Sequence, residues 1–269
     1  MKPMHLLGLA LSLLASPAIA KTYADKLIVI DCGEGHADDK SLWSPGENIG
    51  SRYDMADNCY LIKHQNDWVL WDTGLADNVA DRTDGIRIQA IGTTWKRKEK
   101  LIESLAKLQL KPSDIRWMGL SHLHPDHIGN VAQFPQTTVL IQTAEYNNPV
   151  PLIGLPFAPN QPVKKIDGDF DLFGDGSVMI LSTPGHTQGH QSLLVHLQNT
   201  GAIILSGDAV HSEEAWIKHW IPARNFSVDA TRASHEKIAR ILLQEHGELW
   251  INHDVLQSAS RRKAPAFYD

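Results

Sequence analysis

The sequence lacks any basic block or basic helix. With a net charge of −6 and a pI near 6.1 it offers a phosphate backbone no electrostatic footprint, which argues against nucleic acid as a partner. It also lacks an apolar run of the roughly 20 residues that span a bilayer. The nearest approach is "LLGLALSLLA" close to the N-terminus, which is too short. Repeats, low-complexity tracts and linkers are missing as well, so no composition shift divides the chain. Cysteine is down to Cys32 and Cys59, each at or beside a strand-like run, "LIVIDCG" and "NCYLIKH". The expectation is two buried free thiols, with a disulfide as the alternative. Sequence spacing does not decide between them, because the bond depends on a Cα separation of about 4.4–6.8 Å.

What is present begins with a leader. In "MKPMHLLGLALSLLASPAIA", Lys2 supplies a positive start, a short apolar stretch follows, and Ala18 and Ala20 place small residues before Lys21. This is the pattern of a secretory signal peptide cleaved after Ala20. The expectation is therefore a signal peptide over 1–20 and a single domain over 21–269, exported to the periplasm or secreted. The chain has 269 residues, 42% of them hydrophobic, enough for a sizeable core.

Apolar β-rich runs punctuate the whole length, at 26–31, 59–64, 67–74, 115–121, 137–142, 177–183, 191–197, 202–208 and 248–254. "HQND" (64–67) reads as a hairpin turn. Between the runs lie helical patterns. In "WKRKEKLIESLAKLQL", Leu101, Leu105 and Leu108 share a face. "SVDATRASHEKIARILLQEHG" runs from an N-cap at Ser227 to a C-cap at Gly247, and "IGNVAQF" resembles the start of a short helix. Strands mixed with helices throughout point to the α/β class, with sheets covered by helices in layers.

The chain carries 14 histidines, and three of them crowd into "SHLHPDH" (121–127). His122 and His124 are two apart, so on an extended segment they share one face. Asp126 and His127 follow past Pro125, where the chain must turn. Four ligand-type side chains thus leave one strand end in two directions. Further acceptors end other apolar runs: His186 in "STPGH", Asp208 in "LSGD" and His253 in "WINHD". Zinc takes about four ligands from imidazole nitrogen and carboxylate oxygen. Five histidines and two aspartates suffice for two ions if one aspartate is shared. One ion takes His122, His124 and His186, the other Asp126, His127 and His253, and Asp208 bridges them. Two divalent metals are expected, with Zn²⁺ the foremost choice and Fe, Mn or Co compatible with the same donors.

"HLHPDH", "TPGH", "GDA" and "NHD", in this order, resemble the metallo-β-lactamase superfamily. The resemblance implies a four-layer αβ/βα sandwich with a binuclear site at one edge of its sheets. "SHLHPDHIGN", "STPGHTQGHQSLLV" and the closing "KAPAFYD" are more narrowly similar to the N-acyl homoserine lactonases. It implies a hydrolase that opens the lactone ring of N-acyl homoserine lactones. A water shared by two cations would lose a proton near neutral pH and could attack the ester carbonyl, so no serine or cysteine nucleophile is needed. The superfamily places an aspartate like Asp72, in "WDTG", behind a histidine ligand; a plain turn is the other reading. His190, in "GHQS", is expected to support the site rather than ligate. Asp126 takes a secondary role as general acid or base. One position departs from the lactonases, which carry tyrosine three residues after the bridging aspartate. Here it is His211, expected either to donate a hydrogen bond to the lactone or to face solvent from a loop. For an acyl pocket the candidates are "PLIGLPFAP" (151–159) and Trp216, Ile217 and Trp220, which read equally as core or as a homodimer contact. The rivals to a lactonase are a β-lactamase, a glyoxalase-type thioesterase and an exported metal-binding protein without turnover. The resemblance speaks against the first, because β-lactamases of this superfamily lack the bridging carboxylate.

Overall fold

The structure, a computed structural model, describes residues 22–151 and 154–269. The leader therefore lies outside the described residues. Alternation along β1 (Lys26–Ala37) sets the layering. Leu27 and Val29 are buried on one face, Ile28 and Ile30 on the other, so the strand has apolar layers on both sides. Leu27 and Val29 meet Val178, Ile180, Leu193, Val195 and Leu205 of a second sheet. Ile28 and Ile30 meet Leu101 and Leu105 of helix α1 (Leu101–Lys107) on the outside.

The first sheet has eight strands. After β1 come β2 (Tyr53–His64), β3 (Asp67–Trp71), β4 (Ile86–Ile88), β5 (Thr93–Lys96), β6 (Ile115–Gly119), β7 (Thr138–Gln142) and β8 (Val163–Ile166), in the spatial order β4-β5-β1-β2-β3-β6-β7-β8. The second holds β9 (Phe170–Asp171), β10 (Val178–Ser182), β11 (Gln191–Leu197), β12 (Gly201–Leu205) and β13 (Glu248–Trp250), ordered β13-β12-β11-β10-β9. Leu181, Leu194 and Ile204 on its outer face pack on Ile238 of a long helix, Val228–Glu245. The stacking is the expected αβ/βα sandwich. Strands β3 and β6 are parallel, as are β12 and β13. The C-terminal ends of β3, β6, β10, β12 and β13 thus gather at one edge, where loops converge to make a site.

Several expectations need correction. Cys32 and Cys59 are bonded, with Cα atoms 5.8 Å apart. The β1–β2 register jumps between Asp31 and Gly33, so Cys32 is the extra residue of a bulge and meets Cys59 on the neighbouring strand. The helix expected from Trp95 begins only at Leu101, because Trp95 and Lys96 pair with Gly35 and Glu34 in the sheet. Near the site the helical turn comes earlier than expected, α2 (Pro125–Ile128), followed by helix α3 (Thr143–Asn147) after β7. The 64–67 turn holds, with His64 opposite Asp67. No helix among the described residues is long and apolar enough to cross a membrane.

Candidate metal centre

The chain leaves β6 through Leu120 and Ser121. Leu123 is buried in the outer core, so the extended backbone sends His122 and His124 together to the opposite side, ring centroids 4.4 Å apart. His124 is the N-cap of α2 and Pro125 opens it, at a position where a missing N–H is tolerated. Asp126 and His127 therefore project from the first helical turn, in a second direction. The other three residues follow β10, β12 and β13.

All seven expected donors come together. His122, His124, His186 and Asp208 form one group and Asp126, His127 and His253 another, the donor atoms of each within 4.8 Å of one another. Asp208 stands between them with its oxygens divided. Oδ1 lies 3.1 Å from His127 Nε2 and 3.0 Å from His253 Nε2. Oδ2 lies 3.7 Å from His122 Nε2 and 3.4 Å from His186 Nε2. Asp126 Oδ2 is 3.7 Å from His253 Nε2, and His186 Nε2 is 3.0 Å from His124 Nδ1. Tetrahedral donors about 2.0–2.2 Å from a zinc ion stand roughly 3.3–3.6 Å from one another. The donor pairs here bracket that spacing. Nε2 of His122, Nε2 of His127 and Oδ1 of Asp208 are buried without a hydrogen-bond partner. Orphaned buried atoms of this kind are costly, and a cation satisfies them together. The donor set fits a pair of divalent ions.

Neighbouring groups fix the tautomers. His253 Nδ1 donates to the Ala56 carbonyl at 2.6 Å, so the Nε2 lone pair faces inward. His127 Nδ1 donates to Asp72 Oδ2 at 2.9 Å with the same result. Asp72 is more than a turn residue. It sits in the left-handed region at φ 57, and its Oδ1 accepts from the Ser121 N–H at 2.6 Å. A non-glycine residue there costs about 1–3 kcal/mol, and these bonds hold it. His190 is fully used: its Nε2 accepts from the Asp208 N–H at 2.9 Å and its Nδ1 donates to the Thr183 carbonyl at 3.0 Å. It anchors the backbone of Asp208, as expected of a supporting residue. Gly207, at φ 53, permits this approach, since a Cβ there would lie 2.7 Å from His190 Nε2.

Electrostatics in the metal-free cluster follow from burial and charge. Burial disfavours charging His253, but Asp208 and Asp126 outweigh it and hold its pKa up at about 9. Burial also opposes charge on His127, and Asp208, Asp72 and Asp126 lift it well above the usual histidine range. Burial pushes His122 and His186 well down, and His190 down to about 3. Burial works against the Asp208 carboxylate, yet His253, His127 and His211 hold its pKa well below the ordinary value.

His211 does not face solvent. It is 4% exposed, with Nε2 3.2 Å from Asp208 Oδ2 and its ring stacked 5.6 Å from that of His253. Tyr53 holds its carbonyl by a 2.8 Å hydrogen bond. A cleft of about 500 Å³ opens onto His124, Asp126, His186, Asp208, His211 and His253. Its remaining wall is mostly apolar, including Trp43, Met55, Ile88, Ile91, Trp95 and Phe226. Of the stretches that the sequence left open between wall, core and dimer contact, residues 152 and 153 lie outside the described residues, and the others stand away from the cleft. Trp216 packs in the core beside the outer helix, Ile217 is exposed, Trp220 packs with Val210 and Ile251, and none of 154–159 lines the cleft. Apart from Met55 on β2, these wall residues come from loops, short turns and the β4–β5 hairpin, which carry no periodicity to betray their burial.

A family model described as the metallo-beta-lactamase superfamily matches residues 52–244. An N-acyl homoserine lactonase from a Bacillus species is 26% identical over 243 residues, covering 88% of this chain and 94% of that protein. The N-acyl homoserine lactonase AttM of Azorhizobium caulinodans is 27% identical, covering 82% and 90%. A solved N-acyl homoserine lactone hydrolase, with the product N-hexanoyl-L-homoserine bound at its catalytic metal center, superposes with a TM-score of 0.80 at 25% identity, covering 91% of this chain and 100% of that one. With its fold, its strand-end donors and a family match over most of its length, the chain belongs to the metallo-beta-lactamase superfamily.

Proposed function

We propose that this protein is a metal-dependent hydrolase that opens the lactone ring of N-acyl homoserine lactones, ending their use as quorum signals. One observation carries the reading: a buried aspartate turns its two oxygens to two separate groups of imidazoles at the floor of an apolar cleft. The likeness to lactonases over nearly the whole chain supports it. His122, His124 and His186 would hold one ion, Asp126, His127 and His253 the other, and Asp208 both. The mixed nitrogen and oxygen donors favour Zn²⁺. Bound there, the pair would polarise the lactone carbonyl and acidify the attacking water.

The chain's own residues do the rest. The apolar wall around Trp43, Ile88, Trp95 and Phe226 takes the acyl chain and excludes water from it. His211, at the cleft floor, donates a hydrogen bond to the lactone oxygen on which charge develops. Asp126, 14% exposed at its side chain, is the carboxylate through which the proton passes to the departing alkoxide. Export of the mature chain from Lys21 onward is part of the proposal. The leader pattern supports it, and so does a disulfide, which persists in oxidising compartments. A panel of acyl homoserine lactones, β-lactams and thioesters, each with and without chelator, tests the reading. Chelator-sensitive turnover of lactone in preference to the others is expected. Preference for a β-lactam or thioester contradicts the substrate class, and turnover of none contradicts an enzyme.

A further inference from the structure

Glu145 is buried, 2% exposed, in the short helix that follows β7. Among the described residues no lysine, arginine or histidine pairs with it. Instead it accepts three hydrogen bonds from two loops. Oε1 accepts from the Leu123 N–H at 2.9 Å. Oε2 accepts from the Thr187 hydroxyl at 2.7 Å and from the Gly189 N–H at 2.9 Å. Leu123 lies between His122 and His124, and Thr187 directly follows His186. The donors that flank these three contacts, His122, His124 and His186, all belong to the first group, while Asp126 and His127 of the second lie farther on, on α2. Gly189 shows how tightly the second loop is pressed down, since a Cβ there would lie 2.2 Å from the Glu145 backbone nitrogen.

We infer that Glu145 is a positioning residue for the first metal: one carboxylate clasps the His122–His124 segment to the His186 loop and sets the convergence of the three imidazoles. The inference rests on the metal reading of the site. A buried carboxylate with no cation beside it is an expensive tie, and it is retained where the two loops must hold a common geometry. The second group is fastened by other means, His127 to Asp72 and His253 to the Ala56 carbonyl. The effect of losing the clasp is thus confined to one site, which a general loss of packing would not be.

The experiment is a zinc titration of the chelator-stripped full chain against a competing chromophoric chelator, with thermal melts of the metal-free protein alongside. Glu145→Gln keeps the volume but turns an amide NH₂ toward donors. It is expected to weaken one of two zinc equivalents by about 10- to 100-fold, the usual effect of losing a partner behind the ligands, and to leave the other unchanged. Thr187→Val removes one bond without disturbing the carboxylate and should weaken the same equivalent by less, while Thr187→Ser restores it. If Glu145→Gln does not fold, Thr187→Val decides. Equal weakening of both equivalents, or of neither, overturns the inference. A wild-type chain that takes up no zinc overturns the metal reading beneath it, a result distinguishable from failure of the clasp.

Discussion

The proposed pair of ions rests on Asp208, because each of its oxygens faces a different group of imidazoles. Asp208→Asn replaces one oxygen with a donor that no cation accepts. Metal content should fall below two per chain, and kcat should fall by more than the roughly 100-fold typical of losing a supporting partner. Metal analysis and initial rates on the purified variant check both. His211 makes a separate case. Its proposed contact with the lactone is one hydrogen bond to a developing charge, worth about 1.5–3 kcal/mol, or one to two decades in rate. His211→Ala should lose that much in kcat/KM with both metals retained, and His211→Tyr should recover most of it by supplying another donor. Wild-type turnover by His211→Ala would make His211 a bystander of the chemistry.

The elements that hold these residues were legible where burial imprints a period. β1 is buried on both faces and β11 throughout, so their apolar runs stand out in the sequence. The donors follow strand ends, and that placement was readable before any contact was known. The short strands β4 and β5 were missed because they are only three and four residues long, with no buried residue in β4 and only Thr93 and Trp95 buried in β5. Glu145 was missed for another reason: a lone glutamate in "TAEYN" looks like any solvated one, and only the meeting of two distant loops buries it. The cysteine pairing depended on a bulge that shifts Cys32 by one position, which no spacing rule reveals. Closing that 27-residue separation should stabilise the fold by about 3–4 kcal/mol in the chain-entropy account. A Cys32→Ala/Cys59→Ala variant should therefore unfold at lower denaturant while keeping its metals. An unchanged midpoint would mean that the bond adds nothing.

At the scale of the whole molecule, two sheets deliver donors from opposite layers to one edge, so metal binding and folding are linked. Protons compete for the same atoms. With His253 held at about 9 and His127 well above its usual range, both carry protons at neutral pH in the metal-free protein, and a cation must displace them. Fewer protons are bound after loading than before, so zinc affinity should rise with pH, by roughly tenfold per unit for each proton displaced, with the His253 share of that rise ending near pH 9. An affinity flat between pH 6 and 8 would mean that the site is already deprotonated. Protein made with its own leader should begin at Lys21 by intact mass, and full-length protein recovered from the cytoplasm would contradict export. The central claim is tested most directly by one measurement: acid release from an N-acyl homoserine lactone by the same preparation as purified, after chelator stripping, and after zinc is returned. The account expects ring opening in the first, loss in the second and recovery in the third with two zinc ions bound per chain. Undiminished ring opening by the fully stripped chain, or none by a chain holding two zinc ions, would contradict it.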